Sequence, residues 1–242
     1  MDAIKIVNLT KTYKDITAVD KLNLCIKKGE LFSLLGVNGA GKTTTIKMLC
    51  GLTKPTSGDA FLNGNSVISN LAQVKKIIAI SPQETAIASG LTVRENLELM
   101  CGIYGFVKET KEQKINELAT LLGLTNVINK KSSKLSGGYQ RKLSIAMALI
   151  GEPEILFLDE PTLGLDVLAR SDLWDIIREL KSKITIVLTT HYMEEAETLS
   201  DRIAIMKDGK LLVCDTVKSI KDMANTDNFE QAFIRIVKGE IK

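Results

Sequence analysis

Apolar residues in the first 85 positions come in short bursts. IKIVNL (4–9), KLNLCI (21–26) and ELFSLLG (30–36) each hold a compact run, the pattern of strands rather than of an amphipathic helix. The third run ends at a glycine loop, and GKTTTIKMLCGL (41–52) reads as a helix opening from it. TSGDAFLNGNSV (56–67) carries turn signals at Gly58-Asp59 and Asn63-Gly64 and predicts a hairpin. KKIIAISPQ (75–83) predicts a buried strand running to Pro82.

The period changes after Gln83. Thr92 with Glu95 fits a capping box, and Thr110 with Gln113 is a second candidate. Leu97, Met100 and Cys101, then Ile115, Leu118, Ala119 and Leu122, recur at helical spacing, so residues 85–150 predict an all-α insertion. Alternation of strand and helix then resumes. EILFLDE (154–160) and KITIVLTTH (183–191) read as buried strands. VLARSDLWDIIRELK (167–181) reads as a helix with Ala169, Leu173, Ile176, Ile177 and Leu180 on one face. MEEAETLS (193–200) predicts a short helix, and RIAIMKDGKLLVCD (202–215) a hairpin turning at Asp208-Gly209. The tail from Val217 is amphipathic.

Composition narrows the class. The 242 residues are 45% hydrophobic and 25% charged, ordinary for a globular domain with a sizeable core. A net charge of +3 gives no push toward nucleic acid. Cys25, Cys50, Cys101 and Cys214 lack paired spacing, which fits a reducing compartment and neither a zinc site nor a disulfide framework. A signal peptide is not expected. No run approaches the roughly 20 apolar residues of a membrane span, so membrane association is expected to come through a partner.

Three short segments carry the chemistry. Gly36-Val37-Asn38-Gly39-Ala40-Gly41-Lys42-Thr43, followed by Thr44, matches G-x-x-x-x-G-K-[ST]. Glycines let bare backbone N–H groups wrap a phosphate, and the helix behind adds positive potential. Lys42 would reach the β- and γ-phosphates, and the Thr43 hydroxyl would bind Mg²⁺. Asp159 and Glu160 end an apolar strand, where one carboxylate can hold Mg²⁺ and the next can face an attacking water. His191, the lone histidine, ends another strand and could bond the γ-phosphate or that water; taken alone, such a histidine is more often a surface or core residue. Gln83 is the weakest of these signals in isolation. A second glycine segment, KLSGGYQRK (134–142), also precedes a predicted helix and so forms a second candidate anion site.

GVNGAGKTT, SPQ, LSGGYQ, ILFLDEP, GLD and TTH occur in an order and at spacings that resemble ABC-type ATPases, the nucleotide-binding subunits of ABC transporters. The resemblance covers residues 3–235. It implies an α/β fold: a P-loop NTPase, RecA-like core with an antiparallel β subdomain (1–84 and 151–216), an inserted α-helical subdomain carrying the signature loop (85–150) and a C-terminal helical tail (217–242). It implies ATP and Mg²⁺ as ligands, with Thr43, Gln83 and Asp159 toward the metal. Tyr13 resembles the residue that stacks on adenine, and Gln83 the one that senses Mg²⁺ and the transmembrane partner. Ser136, Gly137 and Gly138 resemble the signature contacts to a γ-phosphate held by another subunit. Glu160 is similar to the catalytic base, Asp166 to the residue linking two sites across a dimer, and His191 to the switch histidine.

The implied function is ATP hydrolysis that energises a separate transmembrane permease from the cytoplasmic face of the membrane. The implied partners are a second ATPase subunit, identical or different, and the permease, with no nucleic acid. NFEQAFIRIVKG (228–239) resembles the tail of bacterial export-type subunits, although an amphipathic helix packed on the core explains its pattern equally. Ile103, Tyr104 and Phe106 are candidate permease contacts. One departure is Tyr139 at the fifth signature position, commonly Gln, with Gln140 following. The alternative reading is an ABC-type ATPase acting on nucleic acid or the ribosome. Such proteins carry two ATPase units or a long coiled-coil insertion, and this sequence shows neither.

Overall fold

In the computed structural model, which describes residues 1–181 and 183–240, two sheets share one core. A small antiparallel sheet has the order β2-β1-β4-β5, from β1 (Asp2–Tyr13), β2 (Ile16–Lys27), β4 (Ser57–Leu62) and β5 (Asn65–Ser66). The large sheet has the order β10-β9-β3-β8-β7-β6, from β3 (Leu31–Leu35), β6 (Ile78–Ser81), β7 (Ile155–Asp159), β8 (Thr185–Thr190), β9 (Arg202–Lys207) and β10 (Lys210–Asp215). It is parallel from β6 to β9, and β10 returns antiparallel through the Asp208-Gly209 turn.

Strands β3, β7 and β8 are buried along their whole length, as parallel strands covered on both faces must be. Their side chains sort by the period of two. Leu156, Leu158, Ile186 and Leu188 face a core shared with the helices α3 (Val93–Ile103), α4 (Lys108–Leu121), α5 (Gly137–Leu149) and α6 (Val167–Lys181). Phe32, Leu34, Phe157 and Val187 face the other way, onto the small sheet and α1 (Lys42–Leu49). The helical insertion is therefore anchored to one face of the sheet and the phosphate-loop helix to the other.

The Thr92–Glu95 capping box is formed in full. The one expected at Thr110–Gln113 is not: α4 starts at Lys108 behind Val107, and the Thr110 hydroxyl turns back to donate to the Val107 carbonyl. Gly58-Asp59 is not a turn either; both lie inside β4, where Gly58 has φ +74° and a Cβ would sit 2.1 Å from the Asn8 carbonyl oxygen of a bulged β1. Asn63-Gly64 does form the hairpin turn, with both φ angles positive. The strand expected over 75–83 shortens to β6, because Leu71–Ile77 forms a helix, α2. Ala169 is half-buried, and Trp174 takes the inward place beside Leu173 on α6.

Beyond α7 (Met193–Leu199), the tail forms α8 (Val217–Met223) and α9 (Phe229–Lys238); its last two positions lie outside the described residues. Ile220, Phe229, Phe233 and Ile236 pack on Leu35, Ile203 and Ile205, so the amphipathic pattern records packing on the core. Phe229 is 2% exposed. Phe229→Ala is expected to cost about 3–5 kcal/mol, read from the urea midpoint. Ile234→Ala, at a residue 41% exposed, should stay within about 0.5 kcal/mol.

Candidate functional site

The parallel ladder sets the level at which the loops emerge. Leu35 pairs with Thr190, Asp159 with Thr189 and Ser81 with Leu158, so the glycine loop, the acidic pair, His191 and Gln83 leave the sheet together. Between them lies a cleft of about 560 Å³. Tyr13, Asn38, Gly39, Ala40, Gly41, Lys42, Thr43, Thr44, Gln83, Glu160 and His191 line it, with Ala18 and Leu163, which the sequence did not single out.

The glycine loop is shaped by close backbone approach. Gly41 has φ +99°, and a Cβ there would sit 2.4 Å from the Ala18 carbonyl oxygen; at Gly36 it would meet the Met206 carbonyl at 2.4 Å. No side chain fits at either position. Val37 is exposed, while Ala40 is buried under the loop.

Lys42 is buried, and its ammonium donates to the carbonyls of Gly36 (2.8 Å) and Val37 (3.2 Å) while lying 3.8 Å from Glu160 Oε1. Burial pulls its pKa down, and Glu160 and Asp159 act against that. Thr43 Oγ1 donates to Asp159 Oδ1 at 3.1 Å, and the Thr189 hydroxyl donates to the same oxygen. Glu160 has φ +47°, a left-handed backbone uncommon outside glycine. Its N–H is held there by the Thr189 carbonyl and hydroxyl. His191 Nδ1 comes within 2.9 Å of Glu160 Oε2 without a directed N–H bond. Tyr13 is half-exposed at the rim, with the Lys11 ammonium 4.9 Å from its ring centre.

Ser136, Gly137, Gly138 and Asp166 are not part of this cleft. Ser136 is the N-cap of α5, and its side chain makes no cap bond, which leaves the helix N-terminus open. Asp166 caps α6 by accepting from the Ala169 N–H. Tyr139 lies beside Lys142, whose ammonium is 5.7 Å from the ring centre, and Gln140 turns inward to the Ser132 and Leu135 carbonyls.

The family model described as ABC transporter matches residues 19–163. The chain belongs to the ABC transporter family. It is 45% identical over 227 residues to ATP-binding cassette sub-family A member 2 of Rattus norvegicus, covering 91% of this chain and 9% of that protein. It is 38% identical over 240 residues to the "Probable multidrug ABC transporter ATP-binding protein YbhF" of Escherichia coli (strain K12), covering 97% of this chain and 41% of that protein. The chain thus spans well under half the length of these relatives. Among solved structures it resembles an ATP-binding subunit of an ABC transporter, with TM-score 0.86, 27% identity and 97% and 99% of the two chains covered. It also resembles a dimeric ATP-binding cassette in a post-hydrolysis state bound to ADP and Pi, with TM-score 0.80, 30% identity and coverage of 88% and 98%. These likenesses agree with the P-loop NTPase fold of this ABC chain.

Two further residues brace the site. Thr189 bridges Asp159 and Glu160, as above. Glu195, on α7, is fully buried and accepts from Thr162 (2.8 Å), just past Glu160, and from Trp174 Nε1 (3.2 Å). In MEEAE it reads as one more surface acid, because nothing in the sequence marks which of the adjacent glutamates faces inward. Burial pushes its carboxyl above the usual range, against the hydrogen bonds from Thr190, Thr162 and Trp174 and the charge of Arg170.

A raised folded-state pKa means stability that is complete below the unfolded pKa and is lost as pH rises through the folded one. Glu195→Gln cannot ionise, so its stability relative to the wild type should climb as pH rises from the ordinary glutamate range through neutrality. Urea melts across that range check this; a flat difference would contradict it.

Proposed function

We propose that this ABC chain binds ATP with Mg²⁺ in the cleft, hydrolyses it, and thereby energises transport by a separate transmembrane permease. The observation that carries the reading is Glu160 held between the phosphate-loop lysine and His191, beside a glycine loop with no room for a Cβ at Gly36 or Gly41. The likeness to a cassette solved with ADP and Pi supports it.

Thr43 and Asp159 offer hard oxygen donors, with Gln83 in the same cleft. Among the described residues no cluster of three or more His, Cys, Asp or Glu side chains could hold a metal. That donor set suits Mg²⁺, which takes one or two protein oxygens and completes its shell with phosphates and water. Thr43, Asp159 and Gln83 would hold it, and bound there it neutralises charge on the phosphate oxygens.

Lys42 would exchange its loop carbonyls for β- and γ-phosphate oxygens, and Tyr13 would stack on the base. Glu160 would take a proton from an in-line water as the new O–P bond forms and the bond to ADP breaks. His191 would hold the γ-phosphate oxygens.

Ser136, Gly137, Gly138 and Asp166 lie outside this cleft, and, as the family resemblance implies, they would serve a second ATPase subunit, identical or related. Two ATP molecules are then shared across the dimer. Closure drives the permease, at the cytoplasmic face of the membrane, through the surface near Gln83 and the helical insertion. On the insertion Ile103 and Tyr104 are exposed and Phe106 half-buried, with Tyr104 beside Gly151, past the end of α5 remote from Arg141 and Gln83. The multidrug name of one relative favours export.

Glu160→Gln should bind ATP as before, lose about 10²–10³-fold in kcat and elute as an ATP-dependent dimer on size exclusion; unchanged turnover would remove the role given to Glu160. A tagged chain recovered from solubilised membranes should bring down a polytopic membrane protein. Ribosomes or DNA in its place would overturn the transport reading.

A further inference from the structure

The cleft and the signature helix, which the proposed function assigns to different nucleotide sites, are joined inside the chain by buried side chains. Arg141 is the fifth residue of α5 and only 4% exposed. Its guanidinium donates to the Pro82 carbonyl through one nitrogen and to the Gln83 carbonyl through the other, each at 2.6 Å. Ser144, three residues on and therefore on the same helix face, shares a 2.9 Å hydrogen bond with Ser81, the last residue of β6. Three polar bonds thus clamp one face of the signature helix to the three residues 81–83. No carboxylate pairs directly with Arg141 among the described residues. Both of these hydrogen bonds go to backbone carbonyls and hold the turn in place.

We propose that Arg141 is a positioning residue that couples the Gln83 turn at one nucleotide site to the signature loop serving the other. The proposal rests on the functional reading above. A forked guanidinium bonds two adjacent carbonyls at once and so fixes the orientation of the peptide plane between them, whereas a lysine ammonium acts as a single point. A shift of the Gln83 turn must then carry the first turn of α5, and with it Ser136, Gly137 and Gly138. The link is rigid because it is buried, and water cannot replace either bond at low cost.

The test is a double-mutant cycle on the purified full chain with ATP and Mg²⁺ as probes. Arg141→Lys keeps the charge and removes the fork. It is expected to keep ATP affinity within about threefold and a cooperative melt, and to lower kcat about tenfold or more. Gln83→Ala should also lower kcat, and the double variant should match Gln83→Ala alone within about twofold, because both changes break one linkage. Ser144→Ala, a milder change to the same clamp, should lower kcat in the same direction and by less.

Strictly additive effects of Arg141→Lys and Gln83→Ala overturn the coupling. So does an Arg141→Lys chain that melts earlier but turns over normally at a temperature where it is folded, since that is the behaviour of a purely structural arginine. A wild-type chain that fails to hydrolyse ATP instead removes the functional reading, and the inference with it.

Discussion

The hydrogen-bond register of the parallel strands β6, β7, β8 and β3 governs the site. A slip of one residue in any of them would turn every side chain of that strand to the opposite face. It would bury the wrong half of LFSLL or ILFLD and move a loop by about 3.3 Å. Because β3, β7 and β8 are buried throughout and their side chains sort between two distinct cores, their packing tolerates one register. That register brings the Gly36 loop, Asp159, Glu160, His191 and Gln83 to one level. Precision at the site is inherited from strands that take no part in its chemistry.

The electrostatics follow from the same placement. Lys42 is buried enough for its charge to be disfavoured, and the two carboxylates at the end of β7 offset that cost. The result is a compact group of one cation and two anions beside a glycine loop rich in backbone donors. Such an arrangement is poised for a polyanion that exchanges partners with the lysine, since the loop already supplies N–H groups without reorganisation. Glu160 holds a left-handed backbone while its N–H is bonded twice to Thr189, so the surroundings over-determine a conformation that its own side chain disfavours.

Much of this was legible in the sequence. The strands IKIVNL, ELFSLLG, EILFLDE and KITIVLTTH, the helices of the insertion and the Asp208-Gly209 hairpin all appear where their patterns placed them. The failures were local. Thr110 lost its cap role because the chain enters α4 three residues earlier, and Gly58 reads as a turn but relieves a close approach to β1. Arg141 and Glu195 were invisible for a different reason: each sits in a charged run, QRK or MEEAE, where composition suggests solvent. Burial of a charged residue depends on what packs against it from distant parts of the chain. Pro82, Thr162 and Trp174 are 59, 33 and 21 residues away from their partners.

The sequence by itself determined the class of the fold, the phosphate loop, the acidic pair and the family, because these depend on residue types at short, fixed spacing. Tertiary structure decided which of the two glycine segments shares a cleft with Lys42 and Glu160. Ser136 and Gly36 both precede helices, and local geometry makes either an anion site. Only the sheet, with α1 packed on one face and α5 on the other, sets them apart, leaving the KLSGGYQRK helix terminus outside the cleft that Lys42 and Glu160 line.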